Sequence, residues 1–195
     1  MIYAFVSYKG GVGKTTCAVH LAGCLSEKTP ALLIDGDANR SALAWSKRGE
    51  LPFPVIDEKQ TAKHAGKYAD VVIDTEARPT AGTLEAIAGG CDRLVLVTSP
   101  DALAMATLMP AVEALQRLGA DFRVLLTLVP PVGYAGEEAR ETIRDAKLPL
   151  CKASIRRYAA FQKAALDGVL VNRISDPHAA DGWKDYQDLT RELMR

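Results

Sequence analysis

The sequence predicts an α/β fold, a mostly parallel, twisted sheet with helices on both faces. Two observations lead there. Short, near-continuous apolar runs, such as 31–34, 71–73 and 94–97, alternate with longer segments whose apolar residues recur at helical spacing. Glycine, proline and aspartate clusters punctuate the changeovers. No repeat, low-complexity tract or linker is visible, so 195 residues suit a single domain over 1–195 with a full core.

Taken in order, Ile2 to Val6 is an apolar first strand that runs into a glycine-rich turn. Thr15 to Glu27 carries Cys17, Leu21, Cys24 and Leu25 on one stripe and is ended by Lys28-Thr29-Pro30. Ala31 to Ile34 is a second strand, after which Ser41 is expected to cap a helix through Leu43, Ala44 and Trp45. A short strand is expected at Phe53 to Ile56, whereas the polar segment up to 66 has no assignable pattern. Val71 to Ile73 reads as a strand ending at Asp74, and Thr80 to Ala88 as a helix. Leu94 to Val97 is a strand, Asp101 to Leu118 a helix with Pro110 as an expected kink, and Phe122 to Val129 a strand. Residues 136–147 read as a helix, Leu150 to Ile155 as a last short strand, and Tyr158 to Leu166 and Ala179 to Met194 as helices.

The turn after the first strand is Ser7-Tyr8-Lys9-Gly10-Gly11-Val12-Gly13-Lys14-Thr15-Thr16. Glycines there let successive backbone N–H groups converge on an anion, and the helix that follows adds unpaired donors and the positive end of its dipole. Lys14 can reach terminal phosphates and the Thr15 hydroxyl can ligate Mg²⁺, so Gly10, Gly11, Val12, Gly13, Lys14, Thr15 and Thr16 form the expected phosphate cradle. The usual P-loop pattern fails at Tyr8, and a second lysine, Lys9, is present instead.

Lys9-Gly10-Gly11-Val12-Gly13-Lys14-Thr15-Thr16 resembles the deviant Walker A box of the ParA/MinD family of P-loop ATPases. That resemblance implies ATP and Mg²⁺ as cofactors, a homodimer in the ATP state, and a catalytic Lys9 that reaches the nucleotide of the other subunit. Asp35-Gly36-Asp37-Ala38-Asn39 resembles the family's Asp-x-Asp-Pro-Gln box, with Ala38-Asn39 as the departure. By that likeness Asp37 orients the attacking water and contacts the metal shell. Asp74, at the end of an apolar strand, resembles a Walker B carboxylate holding Mg²⁺, although Thr75-Glu76-Ala77-Arg78-Pro79 departs from the family's usual continuation. Thr127 stands where many relatives have asparagine, so the adenine contacts are not assignable from sequence.

Net charge is zero, which excludes the chain as a whole as an electrostatic nucleic-acid binder. One local stretch, 151–173, holds Lys152, Arg156, Arg157, Lys163 and Arg173 against the single acid Asp167. It resembles the late basic region with which ATP-state ParA dimers bind DNA nonspecifically. A solvated basic face is the plain alternative, and a nucleotide- or partner-facing Arg156 or Arg157 is another. The last helix has an acidic polar face, which is poorly suited to anionic lipid, so no membrane contact is expected.

Cys17, Cys24, Cys91 and Cys151 form no C-x-x-C pair and the three histidines are scattered, which favours buried thiols over a metal site. No signal-peptide pattern or membrane-length apolar run is present, so a cytoplasmic location is expected, and the ParA resemblance implies nucleoid association. The chain starts at its first strand, which resembles the short ParA type without an N-terminal helix-turn-helix. The resulting expectation is a slow ATP hydrolase of the partition or positioning kind, released by a ParB-like adaptor that stimulates hydrolysis. The alternatives are an ATP-gated scaffold switch without DNA and a metabolic ATP-dependent ligase or synthase sharing the loop.

Overall fold

The computed structural model describes residues 1–195, apart from the side chain of residue 65. Six strands, β1 (Ile2–Ser7), β2 (Ala31–Asp35), β3 (Val55–Asp57), β4 (Asp70–Ala77), β5 (Arg93–Thr98) and β6 (Phe122–Leu126), form one sheet in the order β3-β2-β4-β1-β5-β6. Every pairing is parallel. The expected α/β architecture is therefore the observed one. Helices α1 (Lys14–Ser26), α2 (Ser41–Ser46), α3 (Thr61–His64), α4 (Ala81–Gly90) and α5 (Ala102–Arg117) connect successive strands, and α6 (Ala135–Asp145), α7 (Ala159–Asp167) and α8 (Ala179–Leu193) follow β6.

Strand alternation assigns side chains to the two faces. Tyr3 and Phe5 of β1 join the larger core with Leu21 and Leu25 of α1 and Tyr186 and Leu189 of α8, whereas Val6 joins the opposite core with Leu108 and Leu115 of α5. Both faces of the central strands are buried, which is why those strands read as unbroken apolar runs. β1 lies between β4 and β5, so the chain crosses over it on passing from β4 to β5. Loops after strands on either side of such a crossing diverge and leave a crevice at the carboxyl ends.

Several elements differ from expectation. β3 begins at Val55, because the chain before it holds Pro52 and Pro54, and Phe53 instead packs into the main core. β4 runs past Asp74 to Ala77, with its pairing to β1 shifting register between Phe5 and Ser7. β6 stops at Leu126, and 150–155 is not a strand but makes only isolated bridges at Leu150 and Arg156. The Cys151 and Ile155 amides still donate to the Val124 and Leu126 carbonyls at 2.8 and 2.9 Å, but between them the amides of Lys152 and Ala153 go to the Glu192 carboxylate of α8, at 2.9 and 3.0 Å, which interrupts the ladder. Ser41 opens α2 without a capping bond; Arg40 occupies the cap position, and buried Asp35 accepts from the Leu43 amide at 2.9 Å. The apolar stripe of α8 packs inward, except that Ala180 and Met194 remain exposed.

Candidate nucleotide site

β1 delivers the chain to the crevice, and the turn after it is shaped by two glycines in left-handed conformation, Gly11 (φ 79°) and Gly13 (φ 82°). A side chain at either would strain that backbone. Val12 between them is buried and anchors the turn to the core. From the opposite side, the buried Thr127 hydroxyl lies 2.6 Å from the Val12 carbonyl and 2.9 Å from that of Thr98, sharing its proton between them. The turn is thus tied to the ends of β5 and β6. α1 begins at Lys14, and its first-turn N–H groups and positive dipole end face the cavity.

Lys14 is 6% exposed. Its ammonium donates to Asp74 Oδ1 at 2.9 Å and to the Thr75 carbonyl, and stands 3.7 Å from Asp37 Oδ2. Lys14, Asp37 and Asp74 therefore meet in space, as the sequence reading expected. Asp74 is fully buried; that burial raises its carboxyl pKa, opposed by the Lys14 charge and by the nearby Thr15 hydroxyl. Its second oxygen, Oδ2, is buried with no hydrogen-bond partner among the described residues. An unpartnered buried carboxylate oxygen beside a threonine hydroxyl is a hard-oxygen donor set that fits Mg²⁺. Asp37 is held in a turn, with Oδ1 accepting from the Asn39 amide at 2.8 Å and its side-chain nitrogen at 3.0 Å.

A cavity of about 400 Å³ is lined by Ser7, Gly10, Lys14, Thr15, Asp37 and Ala77, among others. A second, of about 210 Å³, shares Gly11, Gly13 and Thr16 with it and continues over Thr127, Leu128 and Tyr158. Together they form a groove with a polar end under the turn and a more apolar end beyond it. Sequence reasoning did not assign Ser7, Leu128 or Tyr158 to the site. Leu128 and Tyr158 carry no local motif, and only the return of the chain along the β6 edge places them.

Lys9 lies outside this groove. Its ammonium is held by the carboxylate of Asp101, the N-cap of α5, which also accepts from the Ser99 hydroxyl at 2.5 Å and the Ala104 amide at 3.0 Å. The bond from Lys9, followed by that from Ser99, pulls the Asp101 carboxyl down to about 2.

The basic stretch 151–173 does not form one patch, contrary to expectation. Arg156 is spent on Asp185 of α8, through NH2 at 2.7 Å and Nε at 3.1 Å, and lies over the Tyr158 ring at 5.2 Å. Lys163 pairs with Asp176 at 2.6 Å. Arg157 borders the groove beside Gly11 and Thr16, whereas Arg173 borders a different cavity beside Gly23 and Glu27. Those glycines mark opposite ends of α1, whose 13 residues span about 20 Å. The local charge count failed because it omitted acids from α8 and from Asp176.

A central parallel strand leading through a glycine turn into a helix, with a buried lysine and two strand-end acids, defines a P-loop nucleotide-binding domain. Residues 3–191 match the CobQ/CobB/MinD/ParA nucleotide binding domain family, and the chain belongs to it. It is 37% identical over 204 residues to Maintenance of carboxysome distribution protein A of Gloeobacter kilaueensis, covering 100% of this chain and 94% of that protein. Its fold is similar to a putative plasmid partition protein of Borrelia burgdorferi bound to AMPPNP, with a TM-score of 0.76, 18% identity and 99% and 98% of the two chains covered. It is also similar to a Cyanothece McdA variant in complex with ATP, at a TM-score of 0.74, 15% identity and 99% and 96% coverage. Among the described residues, no helix is long and apolar enough to cross a membrane.

Proposed function

We propose that this chain is a Mg²⁺-dependent ATPase that dimerises with ATP and positions a cargo along nucleoid DNA. The observation that carries the reading is the convergence of Lys14, Asp37 and Asp74 under the phosphate turn, with Lys9 held apart on Asp101. Full-length similarity to a carboxysome distribution protein supports the positioning role and a protein microcompartment as the class of cargo.

In this reading the base and ribose lie toward Thr127, Leu128 and Tyr158, and the turn amides and the first turn of α1 bind the phosphates. Lys14 exchanges its carboxylate partners for phosphate oxygens. Thr15 and Asp74, with Asp37 nearby, would hold Mg²⁺, which neutralises charge that builds on the phosphates. Asp37 orients the attacking water. Lys9 leaves Asp101 and supplies its charge to the partner's nucleotide, so the site is complete only in the dimer and ATP binding stabilises the pair. Hydrolysis, stimulated by an adaptor of ParB-like kind, releases it.

Lys152, Arg157 and Arg173 have no acidic partner among the described residues and are the remaining candidates for DNA phosphates. Their dispersion favours a second reading, an ATP-gated switch that acts on a protein partner without DNA. Binding of nonspecific duplex DNA with ATP, with ADP and without nucleotide separates the two; binding absent or indifferent to nucleotide removes the first. Lys9→Ala should retain nucleotide binding but lose the ATP-dependent dimer in sedimentation. An unchanged dimer would refute the trans role of Lys9.

A further inference from the structure

Ser7, the last residue of β1, is 1% exposed, and its hydroxyl oxygen has no hydrogen-bond partner among the described residues. A buried hydroxyl left unpaired costs on the order of 1–3 kcal/mol, so its retention calls for a partner supplied from elsewhere. Strand alternation gives its direction. Ser7 shares the face of Tyr3 and Phe5, which pack in the core under α1, and Asp74 shares that face through Val72 on the adjacent strand. Of the three buried side chains with unpartnered oxygens, Ser7, Asp74 and Thr98, the first two therefore stand on one face of neighbouring strands, on the side of the phosphate turn.

The position along the groove is equally specific. Ser7 lines the polar cavity with Gly10, Lys14, Asp37 and Ala77, and it does not line the apolar cavity beyond Gly13. Gly11, Gly13 and Thr16 border both and mark where the middle of a triphosphate would pass. The end that holds Ser7, Asp37 and Ala77 is the end opposite the base.

We infer that the Ser7 hydroxyl is a ligand of the terminal phosphate, donating to a γ-phosphate oxygen of a bound nucleoside triphosphate. This rests on the nucleotide reading above and extends it: a γ-phosphate would give the Ser7 hydroxyl the partner that a diphosphate would not. A hydroxyl donating to an anionic oxygen is a charge-assisted bond, directional and stronger than a neutral one.

The test is calorimetric titration of the full chain with AMPPNP and with ADP, each with Mg²⁺. Ser7→Ala should lose about tenfold in AMPPNP affinity while ADP affinity stays within about twofold. A second pair, Ser7→Thr and Ser7→Val, differs only in hydroxyl against methyl; the threonine variant should keep the triphosphate preference and the valine variant should lose it. Equal losses for both nucleotides, or no loss for either, would overturn the inference while leaving the nucleotide reading intact. Wild-type protein that binds neither nucleotide would overturn both.

Discussion

The phosphate turn, 7–16, and the basic stretch, 151–173, are both short sequence segments with an obvious chemical theme, yet only one keeps that theme after folding. The turn works through its own backbone. Its glycines, its amides and the start of α1 are consecutive in the chain, so local conformation brings them together. The basic stretch works through side-chain charge, whose effect depends on every acid packed nearby. Asp185 and Asp176 cancel Arg156 and Lys163, Arg157 and Arg173 lie toward opposite ends of α1, and Lys152 sits by Glu192 of α8. A motif built from backbone geometry survives translation into three dimensions better than one built from net charge.

The sharpest break in that comparison is Lys14→Ala. It removes the group proposed to reach the phosphates and leaves Asp74 as a buried, uncompensated carboxylate, for an expected cost of about 3–5 kcal/mol in urea unfolding and at least about a hundredfold in ATP turnover. A variant that loses turnover with unchanged stability would show that the Lys14–Asp74 pair is not maintained in the free protein.

His20 joins the two regions. Its Nδ1 donates to the Thr16 carbonyl at 2.8 Å and its Nε2 accepts from the Val171 amide at 3.0 Å, amid the rings of Trp45, Phe161 and Tyr186. Burial lowers its pKa from 6.5 to about 4. Between those values the unfolded chain binds a proton that the folded chain refuses, so stability falls as pH drops through the window, by roughly 3 kcal/mol at its lower end. Comparing urea midpoints of wild type and His20→Gln from pH 7 to pH 4 isolates this contribution. Parallel curves would show that His20 does not remain neutral in the fold.

Smaller effects separate the members of the basic stretch. Arg156→Ala should cost about 2 kcal/mol, since it leaves the largely buried Asp185 without its guanidinium. Lys152→Ala and Arg157→Ala should leave stability within about 0.5 kcal/mol, because both are exposed and without an acidic partner among the described residues. If either contacts DNA, each should lower the salt slope of ATP-state binding by about one. Loss of DNA binding in Arg156→Ala at full stability would reverse this assignment.

The strand–helix alternation, the phosphate turn and the acids at 37 and 74 were legible because each is written in contiguous residues with a fixed period or spacing. Fold class and family follow from them. The end of β6, the failure of 150–155 to join the sheet and the path past Leu128 and Tyr158 were not legible. They depend on contacts between residues distant in the chain, such as the Glu192 carboxylate of α8 taking the amides of Lys152 and Ala153. The same holds for the pairing of Lys9 with Asp101, 92 residues away. Lys9 was conspicuous in the sequence as a second cation beside the turn, but what holds it in the monomer was not, because partners so distant in the chain leave no local trace. Periodicity and backbone conformation are properties of the chain itself, and they determined the glycine turn at which a phosphate is proposed to bind. Which charges stay free, which hydroxyls are left unpaired and which amides go to Glu192 instead of the sheet were decided only by packing, since those depend on neighbours that the linear order does not specify.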